Sequence, residues 1–302
     1  MRALGVVPKT RRRRNEALLG YALVLPALVV FSVFTFYPFA RNFKLALYVT
    51  PPYPNLPSRY VGLHQVAQVL TSSSFLTSFE TTLLFSVMVV PAGLLLGLAL
   101  AVAAHRKLRG IAIYQTIFSS TVVTSIAVTA VIFGTLMNPV VGLLPWLGIT
   151  TTPPLLENPT WALPCIAVLT VWQGIGLSFI IMSAGLQSVP DELLEASRVD
   201  GASAWTTFFR ITVPLLSPII FFALVVATIT AFQSFGQIDL LTGTNSAFLH
   251  TNVLTYNIYQ TLLVGAGNPG KAAILSIALF VATMLLTLVQ IRLLERRVHY
   301  AR

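Results

Sequence analysis

Apolar and polar positions along the chain fall into long alternating blocks. Six apolar runs lie at about residues 17–38, 79–104, 111–136, 161–187, 211–236 and 272–294. Each has enough residues to cross about 30 Å of hydrocarbon at 1.5 Å of rise per residue. The pattern predicts an all-α polytopic membrane protein with six transmembrane helices. The first run follows Arg11 to Arg14, as in a signal peptide, but it is longer than the 7–15 apolar residues of such a peptide and lacks a small-x-small cleavage site. It reads as an uncleaved first span.

Composition agrees. Of 302 residues, 56% are hydrophobic and only 9% charged, against about 25% charged in a soluble domain. The net charge of +10 is concentrated at span ends rather than along one face, which points to orientation in a bilayer and away from nucleic acid. With the N-terminus in the cytoplasm, 15 of the 19 basic residues lie inside, and only Arg41, Lys44, Arg59 and Lys271 lie outside. Both termini are therefore expected in the cytoplasm. The chain divides into residues 1–76, a five-helix core at 77–294 with a cytoplasmic loop at 188–210, and a tail at 295–302.

Few residues suggest chemistry. Cys165 lies in an apolar run and reads as a small packed hydrophobe, and the four histidines lack metal-ligand spacing, so no metal site is expected. Gly265 to Ala272 imitates a phosphate-binding loop. Yet Ala272 replaces the magnesium-binding hydroxyl, Pro269 interrupts it, no strand precedes it, and the charge bias puts it outside. It is better read as a glycine-rich entry to the last span. Any ATP hydrolysis must then occur on another chain. Gly93, Gly97 and Ala101 share one helix face and predict close helix packing, internal or between subunits.

Polar groups in or beside spans are pathway candidates. Gln233 and Ser234 fall late in the fifth run, Asp239 follows, Glu80 opens the second, and Tyr37 ends the first. An amide beside aromatic rings can hold a polyol. The same residues also serve as interfacial anchors or interhelical hydrogen bonds, the commoner use. A choline group would suit Tyr37 or Trp172. The external stretches Pro51–Pro57, 138–160 and 237–271 either dock an outside partner or simply connect helices.

The loop at 188–210 is the most polar internal segment. Ser188 is placed to cap a helix from Pro190 to Asp200, with Asp191 and Glu192 at its positive end. Gly201 suits a turn with positive φ. A second helix from Ala202 to Phe209 would anchor through Trp205, Phe208 and Phe209, leaving Glu195, Arg198 and Asp200 free.

Glu195-Ala196-Ser197, three residues, Gly201, nine residues, Ile211-Thr212-Val213-Pro214 resembles the EAA loop of binding-protein-dependent ABC importer permeases at every spacing. Ser197 replaces Ala and Val213 replaces Leu. Leu25-Pro26, Tyr37-Pro38, Tyr60 to Leu63, Ala184 to Pro190 and Val199 to Ala202 resemble the carbohydrate subgroup. Ile238-Asp239, Thr255 to Gln260 and Val289 to Arg292 resemble its glycerol-3-phosphate members. Departures fall at Thr81, Ser119-Ser120 and Gly243-Thr244-Asn245.

The resemblance implies a type I ABC importer permease fold in a prokaryotic inner membrane. It implies a second homologous permease subunit, an ATPase dimer holding ATP and Mg, an extracytoplasmic substrate-binding protein, and no cofactor in this chain. By motif, Glu195 would meet a basic group on the ATPase, Ala196 would pack closely, and Gly201 would set the turn. Asp200 belongs to the same surface. Ile211 and Pro214 would join the loop to the fifth span. The expected cargo is glycerol-3-phosphate or a glycerophosphodiester such as glycerophosphocholine, with a sugar or oligosaccharide as the alternative. A secondary transporter would need buried coupling carboxylates or broken helices, and an enzyme a cluster of catalytic groups. Neither pattern stands out in the sequence.

Overall fold

The computed structural model of the chain describes residues 9–49, 58–105, 110–149, 151–242, 248–264 and 267–294. The stretch Pro51–Pro57, the basic residues Arg106, Lys107 and Arg109, the Gly243 to Asn245 departure, Gly265 of the loop-like motif, and the tail from Glu295 lie outside these residues.

Helix α1 (Lys9–Phe31) passes through a π-helical turn at Ser32–Phe36 into α2 (Tyr37–Leu45). A short antiparallel hairpin follows, β1 (Tyr48–Val49) with β2 (Arg59–Tyr60), Tyr48 opposite Tyr60. Next come α3 (Leu63–Leu70) and α4 (Ser73–Ala104). Then α5 (Ile111–Ser119) tightens into a 3₁₀ turn at Ser120–Val123, followed by α6 (Ile126–Leu136) and α7 (Leu143–Trp146). Helix α8 (Ala162–Gln187) leads to α9 (Asp191–Val199). Helix α10 (Ala204–Thr207) runs through a second π turn, Phe208–Thr212, into α11 (Val213–Phe232). The rest is α12 (Gly236–Thr242), α13 (Phe248–Thr251), α14 (Leu254–Leu263) and α15 (Pro269–Leu294).

Among the described residues, five helices are long and apolar enough to cross a membrane, and a sixth span exists if one bent pair is counted as one. That pair corrects the straight third span expected at 111–136. Helices Ile111–Val123 and Ile126–Leu136 meet at 104°. The cause lies in residues 119–125, a run of Ser, Thr and Val without Pro or Gly. Ser119 Oγ donates to Gln115 O (2.6 Å), Ser120 Oγ to Ile117 O (2.7 Å) and Thr121 Oγ1 to Phe118 O (3.1 Å). Hydroxyls that bond back to the preceding turn bend helices, and β-branched neighbours resist straightening. Across the bend, Gly176 of α8 lies against Thr121 Oγ1 and Phe118 O, where any Cβ would collide.

Other boundaries shift for local reasons. The first span extends from Glu16 to Leu45. Its π turn immediately precedes Pro38, and the turn before Pro214 does the same. In each, the N–H preceding the proline reaches back five residues, Tyr37 to Ser32 O and Val213 to Phe208 O. The wider turn accommodates the missing proline donor. Helix α4 starts at Ser73 because the Ser72 side chain caps it, so Glu80 lies inside the helix rather than at its opening. The fifth span ends at Phe232, so Gln233 and Ser234 follow it. The region 237–271 contains three helices, α12 to α14, among its described residues.

Three buried clusters hold the bundle. One joins Ala101 and Ala104 of α4 to Phe179, Met182 and Leu186 of α8 and Leu216 of α11. A second centres on Phe85, Ile166, Ile238 and Tyr256, and a third on Val69, Leu254, Ile274 and Leu275. Helix approach in lipid relies on small residues. A Cβ on Gly97 would come within 2.5 Å of Ser178 Cβ, and one on Gly185 within 2.9 Å of Leu216 Cδ2. Gly97 and Ala101 therefore pack inside the chain. The first helix has no buried residue in its apolar window and reaches the bundle through α2, where Phe39 meets Phe280 at 5.1 Å between ring centroids.

Candidate functional site: the α9 elbow and the membrane cleft

The α9 elbow is built by caps and one buried hydroxyl. Ser188 does not cap α9; it closes α8, donating from Oγ to Gly185 O (2.7 Å). Pro190 occupies the capping position of α9 instead. Its ring fixes φ for entry into the first turn. Asp191 and Glu192 sit at the positive end and Arg198 at the negative end, each complementing the helix dipole.

Ser197 is 5% exposed. Its Oγ donates to Leu194 O (2.8 Å) and lies 3.1 Å from Thr207 Oγ1. Its carbonyl accepts the Ala202 N–H (3.0 Å). The serine that replaces the alanine of the motif thus fastens α9 to the foot of the next helix. Gly201 takes φ +75°, and nothing lies within 4 Å of the place a Cβ would take, so its backbone rather than space requires glycine. Ser203 then accepts the Thr206 N–H (3.2 Å) and starts α10.

The expected second helix, Ala202 to Phe209, is not separate. It forms the first turns of one 29-residue helix, Ala204–Phe232. Only the turn at 200–203 separates α9 from this spanning helix. Ile211 and Pro214 lie half-buried within this junction, and Thr212 is buried. Glu195, Ala196, Arg198 and Asp200 are exposed. Ala196, expected to pack closely, lies on the exposed face of α9. Trp205 and Phe209 are also exposed and stack at 5.5 Å with 7° between planes. Beneath the elbow is a cavity of about 300 Å³, lined by Val102, His105, Leu194, Arg198, Phe208 and Thr212 among others.

Within the membrane, α4, α8 and α11 enclose a small apolar cleft of about 70 Å³, which Gly93, Thr170, Gly174, Ser178 and Thr230 help to line. Gly93 and Gly174 meet nothing within 4 Å where a Cβ would stand, so both keep the cleft open. Near it, Gln173 Nε2 donates to Thr124 O (3.4 Å), the carbonyl freed by the break in the third span. Gln237 Nε2 donates to Gln173 Oε1 (3.4 Å), and Gln237 is 6% exposed. The sequence reading missed this amide pair, although Gln173 stands as an amide in the middle of the fourth apolar run.

The five pathway candidates are not gathered into one site. Gln233 is exposed at the end of α11, and Ser234 is buried beside it, with its carbonyl accepting from Thr255 Oγ1. Asp239 is half-buried on α12, which packs against α6 and α8. Glu80 is exposed on α4, and Tyr37 is 63% exposed on α2, which packs on α15. The aromatic neighbours of Asp239 form a closed group: Phe235 lies 4.9 Å from Tyr259 and 6.0 Å from Tyr256. Tyr256 is buried, and Phe235 and Tyr259 are half-buried against it. Burial raises the Tyr256 phenol above its ordinary range, the Gln260 hydrogen bond opposes this, and the Asp239 charge adds to it.

Comparison with known proteins follows the same outline. Residues 90–300 match the family described as binding-protein-dependent transport system inner membrane component. The sn-glycerol-3-phosphate transport system permease protein UgpA of Agrobacterium fabrum (strain C58) is 35% identical over 94% of this chain and 97% of its own length. The protein of the same name from Yersinia enterocolitica is 36% identical over 93% of this chain and 96% of its own. Among solved structures, a chain of a bacterial ABC transporter involved in import of the acidic polysaccharide alginate superposes with TM-score 0.82 at 23% identity, covering 96% of this chain and 99% of that one. At that identity the likeness concerns the fold. The chain belongs to the family of inner membrane components of binding-protein-dependent transport systems.

Proposed function

We propose that this chain is one permease half of an ATP-driven importer for glycerol-3-phosphate or a glycerophosphodiester. The observation that carries the cargo assignment is 35% identity, along nearly the whole chain, to permeases named for sn-glycerol-3-phosphate transport. In this reading the α9 face is cytoplasmic, and Glu195, Ala196 and Asp200 present a docking surface to an ATPase subunit. Ser197 and Gly201 fix its shape. Closure of the ATPase dimer moves α9, and the continuous helix from Ala204 to Phe232 carries that movement to the cleft. ATP and Mg belong to the ATPase.

A second permease subunit completes the pathway, which explains why polar candidates such as Gln233 and Glu80 are exposed in the isolated chain. It also gives the unburied first helix a neighbour besides lipid. An extracytoplasmic binding protein delivers cargo to the hairpin face.

The test is uptake by proteoliposomes containing this chain, its neighbouring permease, the ATPase and the receptor. Labelled sn-glycerol-3-phosphate and glycerophosphocholine should be taken up on ATP addition. A strong preference for maltose over both would replace the phosphate cargo with a sugar.

A further inference from the structure

The membrane cleft between α4, α8 and α11 carries no charge. Its wall consists of Val, Leu, Ile, Ala, Gly, Ser and Thr residues. Across the whole of these three helices the one charged side chain is Glu80, an acid. No helix starts at the cleft either. Gly93, Thr170, Gly174 and Ser178 lie eight or more residues past the starts of their helices, where each N–H is bonded to the preceding turn. The helix end beside the cleft is the carbonyl end of α11, two residues past Thr230. A phosphate group placed here would meet neither a cation nor a free N–H. An unpaired charge in apolar surroundings costs far more than a few hydroxyls can offset.

What the cleft does offer is hydroxyl oxygen. Thr170 Oγ1 donates to Ile166 O (2.8 Å) and Thr230 Oγ1 to Val226 O (2.9 Å). Both protons are thereby engaged, and the lone pairs remain as acceptors. Ser178 also lines the cleft, is half-buried, and makes no side-chain hydrogen bond among the described residues. An acceptor requires a donor. A glycerol or sugar hydroxyl is one; an ionised phosphate oxygen is not. The cleft's 70 Å³ is several times the roughly 10–15 Å³ that one water needs, enough for a short hydroxyl-bearing carbon chain.

We propose that this chain binds the uncharged, hydroxyl-bearing end of the cargo through Thr170, Ser178 and Thr230, and that the counter-charge for the phosphate comes from the second permease subunit. The two subunits then read different halves of one molecule. Cargo hydroxyls donate to the two threonines, and Ser178 donates or accepts. The phosphate projects out of the cleft toward the partner, where a cation meets it. This assignment rests on the importer reading, in which the cleft belongs to the pathway, and adds which half of the cargo this chain recognises.

The test uses the assembled importer in proteoliposomes: this chain, its partner permease, the ATPase and the receptor. Thr170→Val combined with Thr230→Val keeps the shape of both side chains. Uptake of sn-glycerol-3-phosphate at saturating receptor should fall about tenfold. Receptor-stimulated ATP hydrolysis and thermal unfolding should stay as in the unaltered protein, which separates a lost cargo contact from misfolding. Undiminished uptake overturns the proposal. Two photoreactive glycerophosphodiesters, each first shown to be taken up, then locate the two ends of the cargo. A diazirine on the glycerol carbons should label α8 or α11 of this chain, and one in the alkyl ester beyond the phosphate should label the partner permease. Equal labelling of this chain's cleft by the ester probe, or no labelling of it by the glycerol probe, overturns the assignment and leaves the importer reading standing. Uptake of maltose and not of either phosphate ester would instead remove the cargo reading and this assignment together.

Discussion

The α9 elbow and the break in the third span are both sharp changes of direction, made by opposite means. The elbow is assembled from neighbours in sequence: Pro190 at the start, Gly201 at φ +75°, Ser203 as cap, and the Ser197 hydroxyl ten residues from Thr207. The break at Thr124 is completed from a distance, by Gln173 and then Gln237, 49 and 64 residues further along successive links. A local turn keeps its shape when a neighbouring subunit moves it. A turn held by amides from other helices is tied to how those helices sit, and so can respond when they move.

The most severe test of that contrast is on transport. Glu195→Lys reverses a charge on the exposed face of α9 without touching its supports. Uptake should fall by roughly 30-fold or more, because like charges across an interface cost several kcal/mol, while stability stays within about 0.5 kcal/mol. Normal uptake by a correctly inserted variant would falsify the docking role. Next is Gly97→Val, which forces α4 from α8 and should lower stability by about 1–3 kcal/mol, as overpacking does. Thermal unfolding in detergent measures this.

Gln173→Leu should also cost about 1–3 kcal/mol, by leaving Thr124 O and the Gln237 amide without partners. A double-mutant cycle with Gln237→Leu should show coupling of about 0.5–3 kcal/mol. Strict additivity would mean that the break does not depend on the amide chain. The elbow variants should be milder. Gly201→Ala forces a side chain into the left-handed region, costing about 1 kcal/mol. Ser197→Ala gives up one modest hydrogen-bond set, about 0.5–1.5 kcal/mol, and leaves the α9 face unchanged. Unfolding midpoints of all six variants in one lipid mixture would rank them.

Much of this molecule was legible in its sequence. Long apolar runs determine spanning helices because unpaired backbone polar groups are intolerable in hydrocarbon. The elbow was readable because caps and positive-φ glycines act within a few residues, and the motif spacing from Glu195 to Pro214 sits on that local frame. The boundary error at Ser188 arose where one serine could serve either of two helix ends.

Tertiary structure alone decided the rest. The run Ser119 to Ser125 is compatible with a straight or a bent helix, and contact with Gly176 of α8 accompanies the bend. Gln173 and Gln237 are amides whose roles depend on groups brought near by folding. Gly93 and Gly97 look equivalent in sequence, yet one opens a cleft and the other closes a contact. Local backbone preference is written in consecutive residues; a partner across the bundle is not, because distance in space is set only once the helices have packed.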